Sequence, residues 1–294
     1  MESSTPPALT PRAAEALERL RQDLAVRGSL VVGFSGGADS SLLLKAAADA
    51  LGDRVLAVTA VSPSLPGREL DEARRIASAI GARHKLVTSN EMSEEGYREN
   101  SPRRCYFCKA ELFEILKAEA GREGYDAFAY GAITDDLGDF RPGMDAAREA
   151  GAIAPLLDAG ISKGEVREIS RYLGLPTWNK PASACLSSRI PFGTRIEPAL
   201  LARVEAGEAL LHAEGLRQVR LRDHGEIARI ECGPEEFVLL QEIDRRRRVS
   251  EGLVKLGYRF VCLDLQGYRS GSLNPAGSSH PERGPEAGSP PREG

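Results

Sequence analysis

The sequence predicts an α/β fold in which a parallel sheet, covered by helices on both faces, is followed by a smaller α+β domain. Short valine- and alanine-rich runs alternate with longer helical segments over roughly the first 175 residues, and such alternation yields parallel strands joined by helical crossovers. Beyond that point the texture changes to a helix, two pairable strands, a charged helix and a final strand. The 294 residues suffice for one large domain and one smaller one.

In order, Thr10-Pro11 reads as an N-cap with proline at the first helical position, opening a helix to about Val26. Ser29–Phe34 is a buried strand and Asp39–Leu51 an alanine- and leucine-rich helix. Arg54–Val61 is a second strand, Pro66–Ile80 a helix, His84–Val87 a third strand, Arg104–Ala120 a helix and Ala127–Gly131 a fourth strand. A short fifth strand is expected near Ala152–Pro155, ahead of a helix over Ser162–Leu173. After Leu173–Pro181 come a helix over Glu197–His212, paired strands around Asp223–Gly225, a helix from Pro234 to about Lys255 and a strand over Tyr258–Leu265. The expected organisation is a nucleotide domain over 11–178 and a second domain over 179–270, with disorder in residues 1–10 and in the Gly-, Ser- and Pro-rich tail over 271–294.

Composition narrows the function classes. A net charge of -4 gives no general attraction to nucleic acid. No run of eighteen apolar residues suggests a membrane span, and the N-terminus lacks a secretory pattern, so a cytoplasmic protein is expected. Five cysteines in such a chain argue for chemistry rather than a disulfide framework. They are Cys105, Cys108, Cys185, Cys232 and Cys262, of which the first two form a C-x-x-C pair.

The segment Val31–Lys45, VVGFSGGADSSLLLK, carries the most chemistry. It matches neither the common phosphate loop nor the dinucleotide glycine pattern. It places Ser35, Gly36, Gly37, Asp39, Ser40 and Ser41 between a strand and a helix. Two glycines allow close backbone approach to an anion, and the amides at a helix N-terminus favour negative charge. The bland alternative is a plain strand-to-helix turn. At the end of the fourth strand, Asp135, Asp136 and Asp139 emerge on the same side, with Arg141 beside them. Carboxylates beside a triphosphate need a hard cation between them, which implies Mg²⁺; an acidic surface loop is the alternative.

Cys105 and Cys108 open a helix, where thiolates are favoured, and Cys185 lies in Lys180–Ile196, KPASACLSSRIPFGTRI, at the domain junction. Two cysteines cannot complete a zinc site, whereas three thiolates make a [4Fe-4S] cluster with one open iron possible. Cys232 and Cys262 read as small core residues. Arg220 and Arg222, two apart on a strand, share a face suited to a phosphate. Arg189 and Arg195 lie near Cys185, and Arg245–Arg248 reads as surface.

The string SGGADS resembles the PP-loop of the ATP pyrophosphatases, which attach AMP to a substrate oxygen and release pyrophosphate. By that resemblance Thr59 and Ala60 lie near the adenine, and ATP is the nucleotide. Taken with RCYFCK, DDLGDFRPG, PASACLSSR, VRLRDHGEIARIE and DLQGYRSGS, the chain is similar over about residues 12–274 to the LarE family. That resemblance implies an ATP-dependent sulfur transferase of nickel-pincer nucleotide synthesis for lactate racemase. Its substrate is pyridinium-3,5-biscarboxylic acid mononucleotide, whose adenylated carboxylates become thiocarboxylates. It further implies Asp39 and Cys185 as catalytic residues, and a nucleotide set of Ser35, Gly36, Gly37, Asp39, Ser40, Ser41, Thr59, Ala60 and Asp135. Mg²⁺ would lie on Asp135 and Asp136, a [4Fe-4S] cluster on Cys105, Cys108 and Cys185, and the substrate phosphate on Arg189, Arg195, Arg220 and Arg222, with Glu208 and Asp264 near the substrate. Members with only the cysteine matching Cys185 give up its sulfur once, leaving dehydroalanine. A homo-oligomer and contact with other proteins of that synthesis are also implied, with no nucleic acid and no membrane. The rival readings are a tRNA-thiolating enzyme, an amide-forming ligase and a non-enzymatic nucleotide sensor.

Overall fold

The computed structural model describes residues 8–138, 142–181, 183–269 and 272–273. The chain opens with α1 (Pro11–Ala25), β1 (Leu30–Gly33), α2 (Ala38–Leu51), β2 (Val55–Val61), α3 (Gly67–Ile80) and β3 (Arg83–Thr88). It continues with α4 (Glu95–Arg98), α5 (Arg104–Glu123), β4 (Ala127–Ala129), α6 (Pro142–Ala150), α7 (Pro155–Asp158) and α8 (Lys163–Tyr172). Thr10 caps α1 by accepting from the Ala13 amide, and Ala13, Ala16, Leu17, Leu20 and Leu24 form its buried stripe.

The four strands form one parallel sheet in the order β3-β2-β1-β4. Alternation along β1 sends Leu30 and Val32 to the core with α1, α2 and α8, and Val31 to the core with α5 and α6. Each leucine buried there contributes about 1.5–3 kcal/mol. Because every strand runs the same way, the C-terminal edges of β1, β2 and β4 open on one side, where ligands of such sheets sit.

The remainder comprises α9 (Pro198–Ala213), β5 (Val219–His224), β6 (Ile227–Cys232), α10 (Phe237–Gln241), α11 (Ile243–Lys255) and β7 (Phe260–Leu263). β5 and β6 pair antiparallel, and β7 runs parallel to β6. Leu211, Val219, Leu221, Ile230, Leu253 and Tyr258 fill the core beneath this sheet.

Several expectations need correction. The fifth strand reduces to a single parallel bridge, Ala129 to Ile153, because Pro155, which has no N–H to donate, opens α7 directly afterwards. The helix expected over Pro234–Lys255 is broken at Glu242, whose extended backbone (φ -62, ψ 122) ends α10 and starts α11. α4, α6 and α7 were not anticipated. Cys232 is buried as expected, but Cys262, on the edge strand β7, is exposed. Asp139, Arg141 and the tail from 274 lie outside the described residues, as do residues 1–7. Among the described residues no helix is long and apolar enough to cross a membrane.

Candidate active site

The loop between β1 and α2 lies at the C-terminal edge of the sheet. Gly36 has φ +69, and a Cβ there would lie 2.9 Å from Ala73 Cα on α3, so conformation and close approach both demand glycine. Gly131, just beyond β4, is constrained by close approach alone, since a Cβ would lie 3.0 Å from the Ser40 amide nitrogen. The Ser35 and Ser40 hydroxyls are 3.1 Å apart, the Gly37 amide donates to Ser35 Oγ (3.3 Å), and the Ser35 amide donates to Ser40 Oγ (3.3 Å). Ser41 is fully buried and its hydroxyl has no partner. The loop thus presents converging hydroxyls and amides at a helix N-terminus.

The carboxylates meet at a residue the sequence did not single out. Lys163, first in α8, places Nζ 2.7 Å from Asp39 Oδ1, and its own amide donates to Asp135 Oδ2 (2.8 Å). Asp136 accepts from the Ile133 amide (3.0 Å). Thr59 is buried, its hydroxyl donating to the Phe34 carbonyl (2.6 Å) and lying 2.8 Å from His84 Nε2, so its side chain braces the loop; Ala60 is half-buried at the end of β2.

A cleft of about 300 Å³ separates α3 from the second sheet. Its walls include Arg68, Glu69 and Glu72 of α3, Lys180 and Ser183 of the junction, and Arg189, Glu208, His212 and Arg220. Arg189 is buried in a bidentate pair with Glu208 (2.8 and 3.0 Å) and also donates to the Cys185 carbonyl (3.0 Å). Glu208 accepts the Leu221 amide as well. Arg220 stacks on Tyr268, and burial lowers its pKa. His212 Nδ1–H donates to the Leu216 carbonyl (2.7 Å) and its Nε2 accepts from Arg68 (2.5 Å), which fixes the tautomer; burial holds its pKa below the usual histidine value.

Arg189 is thus committed to Glu208, and two more of the expected phosphate-binding arginines are engaged elsewhere. Arg222 is buried against Glu231 (2.7 Å) and donates to the Ser188 carbonyl (2.9 Å), while Arg195 forms an outlying pair with Glu95 (2.5 Å). Neither lines the cleft. Asp264 pairs with Arg229 (3.2 Å), a neighbour of the same Glu231.

Cys185 is half-buried on the strap entering a 3₁₀ turn, which the Leu186 amide pins to the Ser64 carbonyl (2.8 Å). Beside it lies Tyr97, whose phenol contacts Ser187 Oγ; burial and then the Cys185 charge push that phenol above its ordinary range. Cys108 is near enough to feel Cys185 electrically. Burial first, then the Glu91 carboxylate, raise its thiol well above the usual value. Glu91 is itself buried and accepts from the Ser62 and Ser64 hydroxyls (both 2.5 Å). Cys105, by contrast, is exposed. Among the described residues no three His, Cys, Asp or Glu side chains are grouped to hold a metal ion.

No family model matches the chain. It is 45% identical over 258 residues to an uncharacterized protein of Synechocystis, covering 88% of this chain and 96% of that one. It is 40% identical over 250 residues to pyridinium-3,5-bisthiocarboxylic acid mononucleotide synthase of Lactiplantibacillus plantarum, covering 83% and 88%. A tRNA-specific 2-thiouridylase of Desulforamulus reducens is 26% identical over 54% of each chain. At 40% identity over 83% of this chain and 88% of that one, the second of these likenesses shows that the chain belongs to the family of pyridinium-3,5-bisthiocarboxylic acid mononucleotide synthase, the LarE family.

Proposed function

We propose that this protein is an ATP-dependent sulfur transferase that adenylates the carboxylates of pyridinium-3,5-biscarboxylic acid mononucleotide and converts them to thiocarboxylates. The observation carrying this reading is the junction strap. Its Lys180, bonded to the Gly36 carbonyl of the nucleotide loop, lines with Pro181 and Ser183 the cleft that Arg189 and Arg220 also line, and Cys185 follows two residues after Ser183. A nucleotide loop, a thiol and a cationic cleft are therefore joined by a single short segment.

A carboxylate resists substitution because its oxygen is a poor leaving group. In the first step a substrate carboxylate oxygen attacks the α-phosphorus of ATP, and pyrophosphate departs into the loop, where the amides and hydroxyls of Ser35–Ser41 stabilise its charge. Mg²⁺ suits this donor set because it needs only one or two carboxylates beside phosphates and water. Asp135 and Asp136 would hold it, and when bound it neutralises phosphate charge. Lys163 sets the Asp39 carboxylate at the same edge. Arg220, at the cleft, supplies a cation for the substrate phosphate, while Arg189, committed to Glu208 and the strap carbonyls, shapes the wall beside it.

The [4Fe-4S] cluster implied by the family would take Cys105, Cys108 and Cys185. As arranged, the three are not grouped to hold a metal ion among the described residues, Cys105 lying exposed in the first turn of α5 and Cys185 half-buried on the strap. The sulfur step therefore rests on Cys185. Its thiolate attacks the acyl carbon and AMP leaves with the bridging oxygen, giving a thioester. Loss of the Cα proton to solvent then breaks the Cβ–S bond, leaving dehydroalanine and the thiocarboxylate.

The test is ATP–pyrophosphate exchange. Exchange that depends on the dicarboxylate mononucleotide supports adenylation of that substrate; exchange driven by tRNA, or by ammonia and another acid, would replace it with one of the rival chemistries. Sedimentation of the full chain checks the homo-oligomer.

A further inference from the structure

The ammonium of Lys180 is nearly buried, with 10% of the side chain exposed, and it has three acceptors. These are the Gly36 carbonyl (3.0 Å), Glu72 Oε2 (2.8 Å) and Glu69 Oε2 (2.9 Å), which match its three N–H donors. Two of the acceptors lie on α3, and the third is the backbone of the nucleotide loop.

The carbonyl contact fixes more than a distance. Across a trans peptide the C=O of one residue and the N–H of the next point in opposite directions. A Gly36 carbonyl held on Lys180 therefore aims the Gly37 N–H away from it, toward the side where the Ser35 and Ser40 hydroxyls converge. A glycine at φ +69 followed by another glycine resists peptide rotation only weakly, and two bonds hold that orientation: the long internal one from the Gly37 N–H to Ser35 Oγ (3.3 Å) and the Lys180 contact from outside the loop (3.0 Å). Glu69 and Glu72 keep the ammonium in place; without it, Glu72 would lose this partner and Glu69 would keep only the longer contact to Arg68 (3.6 Å) among its cations.

We propose that Lys180 is a positioning residue that orients the Gly36–Gly37 peptide toward the β- and γ-phosphates of the nucleotide. This rests on reading the loop as an ATP site. Lys180 itself stays on the far side of the loop from the phosphates and acts through the peptide. Being five residues from Cys185, it also ties the loop's conformation to the strap that carries the thiol.

The test measures equilibrium binding of pyrophosphate and of AMP to the full chain and its variants by calorimetry. Lys180→Met should weaken pyrophosphate binding about tenfold or more, the effect of releasing one buried hydrogen-bonded group, and change AMP binding less than about threefold. Because Lys180→Met also takes this partner from two carboxylates, the triple variant Lys180→Met/Glu69→Gln/Glu72→Gln carries the decision. It removes their charge and should fold, yet it still lacks the anchor, so its weak pyrophosphate binding should persist. Recovery of wild-type pyrophosphate affinity in the triple variant would reduce Lys180 to a charge balance and overturn the inference. Equal losses for AMP and pyrophosphate would also overturn it, by showing a general structural role. Wild-type protein that binds neither pyrophosphate nor ATP would instead overturn the reading of the loop.

Discussion

Lys163 Nζ lies 2.7 Å from Asp39 Oδ1 across 124 residues of sequence, while the Lys163 amide holds Asp135 at 2.8 Å. One residue at the start of α8 thus joins the aspartate of the nucleotide loop to the aspartate beyond β4. Lys163→Met should lower kcat/KM for ATP about tenfold to a hundredfold, the range of a charge-assisted hydrogen bond. Both partners are about a quarter exposed, so stability should change by under about 1 kcal/mol. Steady-state kinetics beside urea denaturation separates the two; a large stability loss with unchanged kinetics would make the pair architectural.

Arg189 and Glu208 are both nearly buried and bidentate. Removing one partner leaves an unpaired buried charge, so Glu208→Ala should cost about 3–5 kcal/mol, while replacing both with apolar residues should cost much less. A double-mutant cycle by urea denaturation checks this, with additive losses counting against a coupled pair.

His212 gives the cleft a pH dependence of definite sign. Its pKa is lowered by burial, so folding favours the neutral ring. The stability it contributes is present above the ordinary value of 6.5 and is lost as pH falls below it. His212→Gln should therefore flatten the decline in stability between about pH 7 and pH 5. An unchanged slope would place the titration elsewhere.

The cysteines should differ in reactivity. Cys105 is exposed, whereas the half-buried Cys108 thiol is raised by desolvation and by Glu91. Mass mapping after brief iodoacetamide treatment at pH 8 should find Cys105 alkylated and Cys108 protected. Rapid labelling of both would show that the first turn of α5 opens readily.

The strand-to-helix loop was legible because it is local: a strand, Ser35-Gly36-Gly37 and a helix start are contiguous, and the structure keeps that order. The parallel sheet was legible for the same reason, from alternating runs. Lys163 and Lys180 were not, because their partners lie 124 and 144 residues away and a lysine near a helix start carries no pattern of its own. Period-two spacing placed Arg220 and Arg222 correctly on one strand, but only the tertiary fold puts Glu231 beside Arg222 and leaves Arg220 at the cleft. The Glu242 break escaped because the residues around it are ordinary helix formers; its backbone turns while Arg245 pairs with its carboxylate (3.2 Å).

The central claim is that Cys185 delivers sulfur to an adenylated carboxylate. The most direct measurement is the peptide mass spectrum of Cys185 after one turnover of iron-free, full-length protein with ATP, Mg²⁺ and pyridinium-3,5-biscarboxylic acid mononucleotide. The expected result is a thiocarboxylate product together with a Cys185 peptide lighter by one H₂S. Pyrophosphate release with an intact Cys185 peptide, and a thiocarboxylate formed only after iron and sulfide are restored, would contradict it and return the sulfur to a cluster.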